Sequence, residues 1–448
     1  MARIVIVGGG IAGVAAAWFL RDHEVTVIDG AGELGGKLRT SDVAGLPVDE
    51  GAEQLLVRRP EAVTLARDVG LGDELVHPQT SSASVWARGR LRPLPSRTML
   101  GVPSSARAMS GVLAPWELAR VAMDRVLPGT APVEDVSVAS FVGHRVGRPV
   151  VDRLVEPLLG GVYAGRAELL SLFATMPQLP RVDGSLMVAV RRALPPSSDE
   201  PVFATVRGGL QRLVDALVER SRAQILAGRL VRRLERTSSG WRVVHGATVD
   251  ERAVDADAVV LAVPAQPAAR LLTDHAPVAA SDLAAIDYAS VAIVTLAYPV
   301  ASMPPLAGSG YLVPALPGRP VKAVTFTSSK WSHLHSDVAV VRASIGRYGD
   351  VEELQRDDVD LVAAVRREIA DTVGIVGEPV ATRVSRWGGG LPQYTVGHLD
   401  RVQRIRAAVA AVPGLAVCGA AYDGIGVPAC IASARRAADT LLPAITPV

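Results

Sequence analysis

Lysine is almost missing from this chain. Of its 47 basic residues only Lys37, Lys322 and Lys330 are lysines. Beside so much alanine and valine, the bias points to a GC-rich genome rather than to a function. Cysteine is as scarce, with Cys418 and Cys430 alone. Two cysteines cannot build a disulfide framework, and no Cys/His cluster has metal-ligand spacing. Both facts favour a reducing cytosol and argue against a metal centre. Neither sign of charge is in excess: a formal net charge of +2 over 448 residues argues against nucleic acid as the main partner. No run of about eighteen apolar residues escapes charge or proline, so no membrane span is expected. The apolar start is followed at once by Asp22 and Glu24, unlike a secretory signal. Nucleophile triads and defensible carboxylate pairs are missing too. What is there is 49% hydrophobic, with 42 Gly and 31 Pro. That describes a globular, loop-rich chain, too long for one core, with two or three domains expected.

The strongest pattern comes first. Arg3-Ile4-Val5-Ile6-Val7 reads as a parallel strand covered on both faces. Gly8-Gly9-Gly10-Ile11-Ala12-Gly13 follows with G-x-G-x-x-G spacing. Gly8 serves the tight turn, Gly10 lets backbone approach a pyrophosphate, and Gly13 lets the helix pack close to the strand. That helix, to about Leu20, aims its unpaired N–H groups at the phosphates. A second strand, Val25 to Ile28, ends in Asp29, 21 residues after Gly8. Its carboxylate suits ribose hydroxyls. A bound dinucleotide is expected. Next comes Gly35-Gly36-Lys37-Leu38-Arg39. The glycine pair suits backbone passing near a ligand, and Lys37 and Arg39 suit a phosphate or a flavin edge; a solvated turn is the alternative.

This series of motifs resembles the FAD-binding start of the flavin amine oxidase superfamily, which includes amine oxidases, phytoene desaturases and protoporphyrinogen oxidases. The superfamily usually has Glu where Asp29 stands, and the shorter acid can still reach ribose. The resemblance implies an α/β fold: a Rossmann-like FAD-binding domain (1–75, 201–285, 401–448), a mostly helical insert (76–200) and an antiparallel-sheet substrate domain (286–400). It implies FAD as cofactor. Gly51, Ala52, Glu53 and Gln54 would pass under the flavin, Val231 would meet the adenine by its backbone, and Trp387 would join the site. The closing strand, glycine loop and helix would present Gly419, Ile425, Gly426 and Val427 to the N1/O2 edge of the flavin.

Three later blocks resemble the protoporphyrinogen/coproporphyrinogen oxidases in particular. They are Arg153 to Gly165, Ala323 to His333, and Arg386 to His398. Amine oxidases do not share the run Pro392-Gln393-Tyr394-x-x-Gly397-His398. Family members often carry Asp where this chain has Arg166. The resemblance places Gly161, Tyr163 and Gly165 on the substrate cavity, with Arg58 and Arg59 as partners for propionates; exposed arginines without a specific role are the alternative. From Thr80 to Trp116 there is no Asp or Glu, while Arg88, Arg90, Arg92, Arg97 and Arg107 all occur. That segment reads as the mouth of an anionic site, as a face on an acidic membrane, or as a solvated face.

The implied activity is FAD-dependent oxidation of coproporphyrinogen III to coproporphyrin III in cytoplasmic haem biosynthesis. Hydride would pass to flavin N5, with no catalytic side chain and no metal, and O2 would reoxidise the flavin to give H2O2. The alternatives are protoporphyrinogen IX oxidation, an amine oxidase or carotenoid desaturase, and a non-enzymatic binding protein of the same fold. The tetrapyrrole and O2 are the expected partners, with transient contact to a downstream ferrochelatase and peripheral membrane contact left open. Structural roles are expected for His333 and His398, and a buried thiol for Cys418. Lys330 has a minority reading as a lysine near flavin N5. The stretch Pro195 to Pro201 reads as a linker.

Overall fold

The structure is a computed structural model that describes residues 1–127, 129–179, 183–195 and 200–445. The opening residues form β1 (Arg3–Val7), α1 (Ile11–Phe19) and β2 (Glu24–Ile28). These strands join a five-stranded parallel sheet in the order Gln224–Leu226, β2, β1, Ala258–Leu261, Leu415–Val417. Strand alternation explains why β1 is apolar throughout. Ile4 and Ile6 pack on one face against α1 and the helices Gln211–Ser221 and Val427–Ile445. Val5 and Val7 pack on the other, against Trp241, Leu271, Leu283 and Ile405. Three stretches far apart in sequence thus build one sheet, and its strand ends all open toward α1 and the C-terminal helix.

The second sheet has seven strands, in the order Ala381–Pro392, Tyr288–Pro299, Val338–Ile345, Val321–Phe326, Gly310–Leu312, Ser84–Ala87, Arg90–Pro93. Every pairing is antiparallel except Gly310–Leu312 with Ser84–Ala87. One face packs on helix Asp358–Val373 through Val294, Leu296, Phe326, Val341, Leu361 and Val365. The arginine-bearing hairpin of residues 84–93 therefore belongs to the edge of this sheet, although it lies in the stretch expected to form the helical insert.

The insert has its own apolar core, centred on Met109, Val142, Leu154, Leu159 and Leu186. The apolar spacing from Leu113 to Leu127 suits one amphipathic helix. The structure ends it at Pro115–Ala122 and continues with a 3-10 turn, Met123–Arg125. Asp124 supplies the reason. Its buried carboxylate accepts from the N–H groups of Leu186 (3.1 Å) and Met187 (2.9 Å), at the start of helix Leu186–Ala193. The helix Glu156–Tyr163 follows a widened π-type turn, Val151–Val155. Pro157 has no N–H to donate to the carbonyl four residues back. Of the expected linker, residues 196–199 lie outside the described residues.

Candidate functional site

The glycines of the first turn behave individually. Gly13 sits so close to β1 that a Cβ there would stand 1.8 Å from the Gly8 carbonyl oxygen. Gly8 has φ +109° and lies against Ala262. Gly10 is different: no protein atom stands within 4 Å of where its Cβ would be. It is the residue before α1, which has no acidic side chain in its first turn and no side-chain cap. The first N–H groups of the helix are left facing that space. Gly35 donates its N–H to the Gly9 carbonyl (2.8 Å), and Gly36 lies against the Gly10 Cα. The two glycine turns thus form one cradle.

At one end of the cradle, Asp29 accepts from the N–H groups of Gly9 (2.5 Å) and Ala31 (2.6 Å). Each carboxylate oxygen keeps a lone pair for a ribose hydroxyl. The backbone of Asp29 is tied to Leu226 and Arg229, and Leu230 packs on Gly30. Val231, first residue of strand Val231–Thr237, therefore stands beside the ribose acid.

The Gly51–Gln54 loop lies at the other end. Ala52 donates its N–H to the Lys37 carbonyl (3.3 Å), and the Trp387 indole donates to the Glu50 carbonyl (3.0 Å). A Cβ on Gly51 would meet both the Lys37 backbone and the Trp387 ring. Lys37 is half-buried, has no carboxylate partner among the described residues, and points along Gly390; burial holds its ammonium below the usual lysine pKa. The amide oxygen of Gln54 is buried without a hydrogen-bond partner. An unpaired cation and an orphaned acceptor beside an open glycine cradle fit a polar, anionic dinucleotide.

Two of the side chains named from the sequence are engaged within the protein. Arg39 reaches back toward Glu33 (3.6 Å) and Glu50 (3.8 Å) within the loop. The Glu53 carboxylate is buried between Lys330 and Arg342, and Arg342 also donates to the Gly51 carbonyl (2.8 Å). Burial would raise the Glu53 pKa, but the two cations outweigh it and hold it at about 2. Only the backbone of Glu53 is left for a ligand, and Lys330 has no free ammonium for flavin N5.

The closing loop completes the cavity. Gly419 has φ +128° and open space at its Cβ position, and its N–H donates to Ser433 Oγ (3.2 Å). Ile425 packs against the insert core, Gly426 accepts from the Cys430 N–H, and Val427 opens a helix with no acid in its first turn. Cys418 is a buried thiol beside the Ala12 carbonyl, its pKa pushed up by burial.

Here three distant motifs meet. Tyr394 Oη donates to the Ala420 carbonyl (2.6 Å) and accepts from the Gly424 N–H (2.8 Å). Its ring stacks on His398 (3.8 Å) and tilts against Tyr163 (5.6 Å). Gln393 Nε2 donates to the Tyr163 carbonyl (2.9 Å), and its Oε1 lies 2.6 Å from where Gly165 would carry a Cβ. Burial pushes His398 down to about 4 and Tyr163 up to about 12. Both are neutral at pH 7, which suits a wall better than a proton relay. Gly161 faces Leu312. Arg59 is exposed, pairs with Glu61 (3.4 Å) and reaches the Gly424 turn, whereas Arg58 is exposed with no partner among the described residues. Reading the sequence missed Lys322 and Arg347. A lysine inside an apolar strand, in a chain with only three, was the available signal.

The comparisons agree with this geometry. The family model for flavin-containing amine oxidoreductases matches residues 11–442. A coproporphyrinogen III oxidase of Mycobacterium bovis is 41% identical, covering 98% of this chain and 97% of its own length. A coproporphyrinogen III oxidase of Bacillus subtilis is 31% identical over 98% of both chains. A crystal structure from Exiguobacterium sp., provisionally assigned as a protoporphyrinogen oxidase, superposes with TM-score 0.87 at 31% identity over 98% of both chains. Cyclohexylamine oxidase from Brevibacterium oxydans shares the fold at TM-score 0.74 and 17% identity, over 99% of each chain.

Proposed function

The chain belongs to the flavin-containing amine oxidoreductase family, and on that premise we propose that it oxidises coproporphyrinogen III to coproporphyrin III in haem synthesis. The cofactor is FAD, as the family and the dinucleotide cradle together require. The observation that carries the substrate reading is the junction at Tyr394. There the Pro-Gln-Tyr-x-x-Gly-His run braces the closing glycine loop on one side and the Gly161–Gly165 turn on the other. The curated relatives of like length that cover this chain, named above, support the same reading.

When bound, FAD supplies a hydride acceptor at N5, and a porphyrinogen meso carbon suits it because the pyrrole nitrogens stabilise the cation left behind. The protein's part is binding, orientation and exclusion of water. The open N–H groups at the start of α1 hold the pyrophosphate, and Asp29 holds the ribose. Lys37 and the N-terminus of helix Val427–Ile445 favour negative charge on the cofactor. Tyr163, held by Tyr394 and Gln393, walls the substrate side. No side chain is asked to act as a strong base, consistent with neutral His398 and Tyr163. Dioxygen is the proposed electron acceptor, with three hydrogen peroxide released for the six electrons of each porphyrin.

Four propionates against two distinguish coproporphyrinogen III from protoporphyrinogen IX. A cavity edged by Arg59 and by the acid-free hairpin favours the more anionic substrate. Steady-state turnover of both porphyrinogens tests this. A preference in kcat/KM of about tenfold or more for coproporphyrinogen is expected, equivalent to ~1.4 kcal/mol. Equal or reversed preference would overturn the substrate assignment.

A further inference from the structure

Two buried cations stand beside the Gly161–Gly165 turn without a direct ion pair among the described residues. Lys322 is 4% exposed, and its ammonium donates to the Gly346 carbonyl (2.6 Å). Arg347 is 7% exposed, and its guanidinium donates to the Val313 carbonyl (2.9 Å). Neither forms an ion pair among the described residues. Lys322 occupies the bulge where Val321 pairs with Ile345 and Ala323 pairs with Ser344, so the two cations meet at one sheet corner. Burial pushes the Lys322 ammonium down to about 7, with the charge of Arg347 adding to it. Burying two like charges together is unfavourable, and apolar side chains of similar volume would fold more cheaply.

The surroundings show what would offset them. Arg347 lines a cleft of about 690 Å³. Three other arginines of the cleft are paired: Arg166 with Asp350, Arg356 with Glu353 and Arg319 with Glu368. At the rim, exposed Arg367 and Asp371 offset each other in charge. Buried Arg347 has no direct ion pair among the described residues; Asp350 and Glu156 act on it only at longer range. The cleft adjoins the substrate turn directly. Tyr348 donates its N–H to the Ala164 carbonyl (2.6 Å), and Arg166 donates back to the Tyr348 carbonyl (2.8 Å). Leu312, next to the Val313 carbonyl that holds Arg347, faces Gly161.

We propose that Arg347, with Lys322 behind it, binds one carboxylate of the tetrapyrrole, a propionate reaching past the Gly161–Gly165 turn into this cleft. The inference rests on the porphyrinogen reading and adds a carboxylate site on the sheet side of the cavity. A charge-assisted pair explains why both cations are kept where each alone would be costly.

The test uses the FAD-loaded enzyme and two stable probes in the same mild detergent: coproporphyrin III and its tetramethyl ester, followed by porphyrin fluorescence. The wild type is expected to bind the acid more tightly than the ester. Lys322→Met and Arg347→Met are each expected to weaken acid binding about tenfold while leaving ester binding unchanged. Arg347→Lys should recover part of the loss. If Arg347→Met does not fold, Lys322→Met carries the test alone, because it replaces a buried ammonium by an apolar chain of similar length. Folded variants that bind the acid like the wild type would overturn the proposal. So would variants that lose acid and ester binding alike, since that is what a collapsed cavity does. A wild type that binds both probes equally would remove the carboxylate site and leave the porphyrinogen reading standing. A wild type that binds neither would remove both.

Discussion

Gly10 and Gly13 are three residues apart and are glycine for opposite reasons. At Gly13 the neighbour is the protein's own backbone; at Gly10 it is empty space, which the proposed cofactor would fill. Gly10→Ala should therefore fold with the melting temperature of the wild-type apoprotein, since its φ of −69° suits alanine, yet lose bound flavin. Gly13→Ala should cost about 1–3 kcal/mol through overpacking. Melting curves and visible flavin absorbance separate the two, and a Gly10→Ala protein that keeps its flavin would contradict the cradle. Glu53 makes a second residue-scale case. Its folded pKa of about 2 lies below the ordinary 4.5, so its ion pairs stabilise fully above pH 4.5, and that stability is lost as pH falls from 4.5 toward 2. Glu53→Gln should cost about 3 kcal/mol at pH 7 and leave Lys330 and Arg342 uncompensated. Urea unfolding at pH 7 and pH 3 should show the gap between wild type and variant narrowing in acid; a gap independent of pH would refute the pairing. The sequence marked Glu53 and Lys330 as cofactor candidates, but nothing local joins residues 277 positions apart. Glycine roles were legible because each follows from a turn a few residues long.

Among the elements, the opening βαβ unit was legible because hydrophobic period, glycine spacing and a terminal acid agree over thirty residues. The insert was less so. The helix from Pro115 stops early because Asp124 caps a helix sixty residues later, a contact no periodicity reports. Tyr394 is the element-scale hinge of the account, since it ties the end of strand Ala381–Pro392 to the closing loop. Tyr394→Phe keeps the ring stacks on Tyr163 and His398 and deletes the hydrogen bonds to Ala420 and Gly424. It is expected to cost about 1–2 kcal/mol of stability and to weaken flavin binding about tenfold as the loop loosens. Flavin retained through dilution and desalting, compared with wild type, measures this; undiminished retention would mean that the loop needs no such brace.

For the whole molecule, three sequence stretches return to one parallel sheet, and a second, mostly antiparallel sheet of seven strands is built apart from it. The resemblance that spans the chain implied this α/β fold class in advance. It could not reveal that the arginine hairpin of residues 84–93 extends the second sheet, because a four-residue strand with two arginines, one exposed and one half-buried, looks like loop. Nor did it reveal that buried Lys322 and Arg347 meet at the corner of that sheet, since only folding places them together. The fold exists, on this account, to place a flavin between the glycine cradle and a macrocycle that yields six electrons. Anaerobic mixing of the FAD-loaded protein with limiting coproporphyrinogen III tests that most directly, with flavin bleaching and porphyrin fluorescence followed together. Three flavins bleached for each coproporphyrin formed is the expected result; a flavin that stays oxidised, or porphyrin appearing with no matching flavin reduction, would contradict it.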